Sequence, residues 1–390
     1  MEKSFYAPQA FREKDAGPNQ CFGIEVVPGR RCDLNCQACY KRTQKVTRAR
    51  ISFYSRQADT QDSGSDTPID DVLDYVAQAK GVGFREAALL GGEPTLRKDI
   101  REIIQGVRQQ GLSPILVTSG AHIDQPLVDT LSATRSVVVT HASIPGRPEL
   151  VNHLAGTTRD YAKILAESIE KLREADGIQL VLEMPLTMSV YDEAFDFFCD
   201  CRENGIMPFI EISRRNDDGK PTTSVTPEQV AELFEQCRAF DVLNYPELAA
   251  PAVHPPAYGN PCTMSITGLH VKNNDNGDYG GVYSCCAQHL RHGDLKEQSL
   301  EEILKSPTLA VYRDQDAYIV GPCRDCELYD VCKGGCRGEA FLRFGCPRAS
   351  SPACHRIPPE VRNNPNIMAP QSCEGCPAEH AEGCSLLHTQ

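Results

Sequence analysis

Arg31-Cys-Asp-Leu-Asn-Cys-Gln-Ala-Cys-Tyr40 places three cysteines, Cys32, Cys36 and Cys39, near the front of a 390-residue chain. Three thiolates bound to a four-iron cluster leave one iron without a protein ligand, open to a small chelating molecule. A zinc loop or three unrelated core cysteines are the other readings of this run. Structural zinc, however, takes four ligands in paired short spacings.

Outward from this run, short apolar stretches alternate with amphipathic ones from about residue 23 to residue 212. Strands are predicted over 23–27, 86–90, 114–118, 136–140, 179–184 and 208–212, with helical patterns such as 69–79, 100–110, 160–175 and 193–204 between them. Strictly alternating strand and helix give a parallel sheet. Six such units fit an α/β fold of the partial (β/α)6 barrel type, whose ligands sit at the carboxyl ends of the strands. The second strand runs directly into Gly91-Gly92-Glu93-Pro94. Its two glycines permit backbone conformations and close approaches that a side chain would obstruct. Alone, such a run reads as a plain turn; one strand and one helix after the cysteine loop, it falls at the same end of the sheet.

Composition excludes several classes. Nineteen cysteines without a basic-then-apolar leader argue against a secreted disulfide scaffold and for thiolates kept reduced in the cytoplasm. No apolar run approaches the length of a membrane span. A formal charge of -13 offers no general attraction for phosphate backbones, so nucleic acid is disfavoured as a partner.

Cys-x3-Cys-x2-Cys followed by an aromatic, together with the 91–94 loop, resembles the signature of the radical S-adenosylmethionine (SAM) superfamily. The resemblance implies that the open iron takes the amine and carboxylate of SAM and that one electron from the cluster cleaves the sulfonium to a 5'-deoxyadenosyl radical. It implies SAM contacts from Tyr40, from Gly91, Gly92, Glu93 and Pro94, from Ser119 in Thr118-Ser119-Gly120, and from Ser143 after the fourth strand. The family's usual Ser-Leu-Asp-Gly reads Ser143-Ile-Pro-Gly146 here, and a common downstream Arg-Gly reads Ala155-Gly156. For Ser119 and Ser143, ordinary turn or capping roles are the plain alternative.

Near Tyr245 the composition shifts: Pro246, Pro251, Pro255, Pro256 and Pro261 make a rigid, non-helical connector to a cysteine-rich part. The run Cys323-x2-Cys326-x5-Cys332-x3-Cys336-Arg337-Gly338, then Cys354, with Cys262 and Gly280-x4-Cys285 upstream, resembles the SPASM (twitch-like) extension. That likeness implies two auxiliary [4Fe-4S] clusters. Cys323, Cys326, Cys332 and Cys354 would hold the outer one. Cys262, Cys285 and Cys336 would hold the inner one, with Cys286 the candidate fourth ligand. Zinc is the alternative, since two Cys-x2-Cys turns can each supply half a tetrahedral site. Cys286 stands where sulfatase-maturing members commonly carry an aspartate, which argues against formylglycine formation; a small buried structural side chain is its plain reading. Cys346, Cys373, Cys376 and Cys384 suffice for a further iron-sulfur or zinc site. Cys21, Cys199, Cys201 and Cys237 fall in strand or helix patterns and read as structural.

The expected organisation is a lead-in over 1–22, a radical SAM partial barrel over 23–244, a SPASM-type domain over 245–356 and a cysteine-containing tail over 357–390. The polar insertion over 42–67 reads as a loop near the cluster mouth. The resemblance implies a cytoplasmic oxidoreductase or maturase acting on a peptide or protein side chain. The same chemistry on a small biosynthetic intermediate is the alternative, and a non-catalytic iron-sulfur electron carrier a distant one. An electron donor such as flavodoxin or ferredoxin is implied. Only about twenty residues precede the first strand, so a separate peptide-recognition protein is one expected partner.

Overall fold

The structure, a computed structural model, describes residues 19–27, 31–36, 39, 66–212, 225–249, 264–272, 279–286, 290–372 and 374–377. Within them a parallel sheet is built from β1 (Cys21–Val27), β2 (Glu86–Gly91), β3 (Ser113–Val117), β4 (Val137–His141), β5 (Gln179–Leu186) and β6 (Met207–Ile212). The connecting helices are α1 (Ile69–Gly81), α2 (Ile100–Gln109), α3 (Gln125–Thr134), α4 (Pro148–Leu154), α5 (Tyr161–Glu174) and α6 (Ala194–Glu203), followed by α7 (Pro227–Asn244). Strands adjacent in sequence are adjacent in the sheet, without reversal. That is the order of a partial barrel rather than of a doubly wound sheet.

Local sequence explains these elements. In α2 the buried residues Ile100, Ile103, Ile104 and Val107 fall at helical spacing and form one apolar stripe. Asp124 caps α3 by accepting from Leu127 N, and Thr226 with Gln229 forms a capping box on α7. The stripes pack on one face of the sheet, where Phe22, Ile24, Leu89, Leu116, Val138, Leu182 and Ile210 join the main core. Each such side chain contributes roughly 1.5–3 kcal/mol on burial. The opposite, inner face carries a thinner apolar layer of Ile115, Val137 and Val181.

The sheet does not end at the expected division after residue 244. Three further strands, β7 (Leu269–Lys272), β8 (Gly281–Tyr283) and β9 (Arg291–Asp294), continue it, with β7 parallel to β1 and the other two antiparallel. Beyond them come short helices with a small core of Ile319, Cys323, Ile357 and Met368. The insertion expected over 42–67 lies outside the described residues except for 66 and 67. Among the described residues no helix is long and apolar enough to cross a membrane.

One buried ion pair fastens the end of the parallel sheet. Arg202 of α6 donates through Nε and Nη2 to the two oxygens of Asp241 of α7, each at 2.9 Å, with Asp241 wholly buried. Removing one partner strands the other charge in the core. Asp241→Ala is therefore expected to lose about 3–5 kcal/mol of stability, read as a fall in the unfolding midpoint of the holoprotein.

Candidate active site

The cysteine loop follows the carboxyl end of β1, and the Gly91-Gly92-Glu93-Pro94 loop follows that of β2. Backbone bonds join them: Gly92 N donates to Val27 O at 3.3 Å and Glu93 N to Arg31 O at 2.9 Å. Gly91 has φ +140°, and a Cβ there would lie 2.1 Å from Val27 O, so only glycine allows this approach. Farther along, Asn35 N donates to Ala155 O at 2.9 Å, and Cys39 N to Cys36 O at 3.3 Å. Gly156 sits against the same loop at φ +60°, where a Cβ would come 2.2 Å from Asn35 O. Gly156→Ala is expected to displace the loop at a local cost above about 1 kcal/mol. Iron counting should then show loss of N-terminal iron with C-terminal iron retained.

Glu93 is buried and its carboxylate is almost fully engaged. Oε1 accepts from Thr95 N (3.0 Å), Thr95 Oγ1 (2.6 Å) and Thr118 Oγ1 (2.6 Å), and Oε2 from Ser119 N (2.7 Å). It therefore braces the loops after β2 and β3 against each other. Ser119 Oγ accepts from Ala121 N at 3.3 Å, a turn contact, while its carbonyl accepts from Tyr161 OH. Ser143 lies half-buried in the loop after β4.

Sequence reasoning missed a clamp on the cysteine loop. Asp33, between two of the cysteines, accepts from Arg159 Nη2 at 2.6 Å and pairs with His122 Nε2 at 2.8 Å. Burial opposes its ionisation, but the hydrogen bonds from Arg159 and His122 outweigh it and hold the carboxyl below its usual range. Tyr161, also missed, is fully buried beneath the loop. Its hydroxyl meets His141 Nδ1 at 3.0 Å, and burial together with the neighbouring Cys36, Glu93 and Cys32 raises its pKa. Burial pushes the Cys32 thiol up to about 11, and Glu93, Asp33 and Cys39 add to the rise. A thiol so placed is neutral by itself and becomes a thiolate when a cation ligates it, so the loop's chemistry fits a metal group. Tyr40 lies outside the described residues.

The C-terminal cysteines fall into groups. Cys332 is pushed up to about 11, chiefly by burial, with Cys323 and Cys354 adding to it. Cys354 is raised by burial and, in turn, by Cys323 and Cys326. Cys323, Cys326, Cys332 and Cys354 are thus brought within electrostatic reach of one another, although among the described residues no three metal-binding side chains close on a single ion. Cys323 N is held by Ser350 Oγ at 2.9 Å, and Arg362 ties Cys354 O at 3.2 Å to Glu228 of α7 at 2.6 Å. The apolar cluster around these residues is small, made of Ile319, Cys323, Ile357 and Met368, and small cores are commonly reinforced by metal. Metal–thiolate bonds would add to its stability.

Cys285 and Cys286 lie at the other end of the sheet from the first cysteine loop. Tyr283 pairs with His270, so antiparallel β8 carries Cys285 and Cys286 past the amino end of β7, and Cys286 is within reach of Cys21 at the start of β1. A seven-residue strand spans about 20 Å. Between the two ends the inner face holds buried polar groups unforeseen from sequence. His270 Nε2 is 3.4 Å from Glu25 Oε1, and Lys272 Nζ lies 4.1 Å from the Tyr283 ring centroid and donates to Cys286 O at 3.2 Å. Cys336 is buried at the start of the helix Arg337–Phe344. Cys346 and Cys376 are buried as well, Cys376 against Val311 and Tyr318. Cys262, Cys373 and Cys384 lie outside the described residues. Cys21 sits in β1, Cys199 and Cys201 in α6 and Cys237 in α7, and burial raises all four thiols.

Residues 26–195 match the sequence model of the radical SAM superfamily. Those residues form a radical SAM domain. In this radical SAM enzyme, residues 276–327 match SPASM, an iron-sulfur cluster-binding domain. Among characterised proteins it is similar to the PqqA peptide cyclase of Ruegeria pomeroyi, 25% identical over 297 residues, 72% of this chain and 77% of that one. The PqqA peptide cyclase of Rhizobium meliloti is 27% identical over 307 residues, with the same coverage. Two solved structures share the fold. They are anSMEcpe with bound AdoMet and a Cp18Cys peptide (TM-score 0.59, 18% identity, 82% of this chain and 90% of that one) and Streptococcus suis SuiB bound to S-adenosylmethionine (TM-score 0.60, 17% identity, 87% and 78%). The two family matches give SAM and iron-sulfur clusters as the cofactors of this enzyme.

Proposed function

We propose that this enzyme oxidatively modifies a side chain of a peptide. The observation that carries the reading is the joining of the cysteine loop to the 91–94 loop at the carboxyl ends of β1 and β2, over an inner face lined with buried polar groups. When bound, a four-iron cluster with SAM on its open iron supplies one-electron cleavage of the sulfonium and a 5'-deoxyadenosyl radical. Cys32, Cys36 and Cys39 would hold that cluster, while Asp33, clamped by Arg159 and His122, fixes the loop's orientation. Glu93 is engaged by Thr95, Thr118 and Ser119 and so holds the 91–94 loop in place; Gly91, Gly92, Glu93 and Pro94 would hold SAM there, with Tyr40, Ser119 and Ser143 as further contacts. The sheet's inner face positions the target hydrogen and excludes water.

Cys323, Cys326, Cys332 and Cys354 would hold one auxiliary [4Fe-4S] cluster, and Cys262, Cys285 and Cys336, completed by Cys286, the other. Cys346, Cys373, Cys376 and Cys384 are left for a further iron-sulfur or zinc site. A flavodoxin or ferredoxin would supply electrons in the cytoplasm, and a separate recognition protein would deliver the peptide. Similarity to peptide cyclases over most of the chain favours a peptide over a small molecule. The test is anaerobic incubation of the reconstituted enzyme with SAM, reductant and peptides encoded beside its gene, followed by mass spectrometry. A SAM-dependent mass change in a peptide supports the reading. Turnover of a small molecule with all peptides unchanged overturns it.

A further inference from the structure

Arg337 is among the largest fully buried side chains of the protein, 1% exposed, directly after Cys336. Its guanidinium donates through Nε to Gly335 O at 3.3 Å, through Nη1 to Pro347 O at 3.0 Å and Ala349 O at 2.6 Å, and through Nη2 to Gly334 O. Every acceptor is a neutral carbonyl. Among the described residues no carboxylate pairs with it, and the groups within electrostatic reach that can become negative are Cys323, Cys336, Cys332 and Tyr329. Carbonyls satisfy the donors, and thiols and a phenol carry negative charge only when ionised or bound to metal, so without a cluster the positive charge is uncompensated, which is costly in a dry interior. Cys323 and Cys332 belong to one proposed cluster and Cys336 to the other, so a single fixed cation stands beside both sets.

We propose that Arg337 is the shared counter-charge of the two auxiliary clusters and sets their reduction potentials. This rests on the assignment of the C-terminal cysteines given above. Thiolate-ligated clusters are anionic and become more so on reduction. A fixed cation beside them favours the reduced state and raises the potential of each. The same cation neutralises the thiolates, so ligand loops and charge form one unit.

The test compares Arg337→Gln, which removes the charge, with Arg337→Lys, which keeps it without the planar fork. Reconstituted holoenzymes are measured by iron content and by redox titration followed by electron paramagnetic resonance. The SAM-binding cluster serves as internal control. Arg337→Gln should move both auxiliary midpoints to more negative values while the control stays put, and Arg337→Lys should restore most of the shift. Iron lost from Arg337→Gln but kept by Arg337→Lys supports the proposal equally, since the two differ in charge. Unmoved midpoints at full iron content, or equal iron loss in both variants, would make Arg337 a mere staple of carbonyls and overturn it. Zinc in place of C-terminal iron in the wild type overturns the cysteine assignment and this inference together, whereas unmoved midpoints overturn the inference alone.

Discussion

Cys36→Ala protein is expected to release no 5'-deoxyadenosine from SAM under reducing conditions while keeping its C-terminal iron. Two remaining thiolates cannot hold a four-iron cluster in the state that leaves one iron open, so the effect is loss of the reaction rather than a graded decline. The polypeptide around the site should survive the change. The loop is fastened by Asn35 N to Ala155 O, Glu93 N to Arg31 O and the Asp33 ion pairs, and none of these uses the Cys36 sulfur. Its C-terminal counterparts sit around a separate small core and depend on other thiols. Iron counting and chromatographic assay of deoxyadenosine check both halves. Undiminished deoxyadenosine from the variant would remove the assignment of these cysteines to the SAM cluster.

The parallel strands were legible because each is a short apolar run bounded by turn residues, and predicted limits such as 208–212 differ from the observed Met207–Ile212 by a single residue. The loops after β1 and β2 were legible for a related reason: cysteine and glycine spacing is local. What escaped is everything made by residues distant in sequence. A four-residue strand such as β7 carries no period to read, and its partner β1 lies more than two hundred residues away. Without that pairing nothing in the sequence brings Glu25 and His270 together as a buried contact. Asp33 was within the quoted motif, yet nothing near it in sequence announces His122 or Arg159. Arg337 stood in the C-terminal run, but its burial emerges only when the turn before Cys336 and the loop at Pro347 and Ala349 close around it.

Replacing Cys326 and Cys332 together by alanine is expected to cost one auxiliary cluster, about four irons, and to stop product formation while uncoupled SAM cleavage remains measurable. The two thiols are half-buried members of the group that includes Cys323 and Cys354, so their loss leaves two ligands of four. The SAM site should be spared, because its cysteine loop, its 91–94 loop and the Glu93 brace are all built from residues of β1 to β5 and their connections. Iron content, deoxyadenosine and peptide mass separate the outcomes. Deoxyadenosine lost along with product would mean that the C-terminal part supports the SAM site directly. If the wild type instead holds only about four irons with zinc in its C-terminal part, the tetrahedral zinc alternative for these thiols is correct. Product would then have to form without an auxiliary electron acceptor at this position.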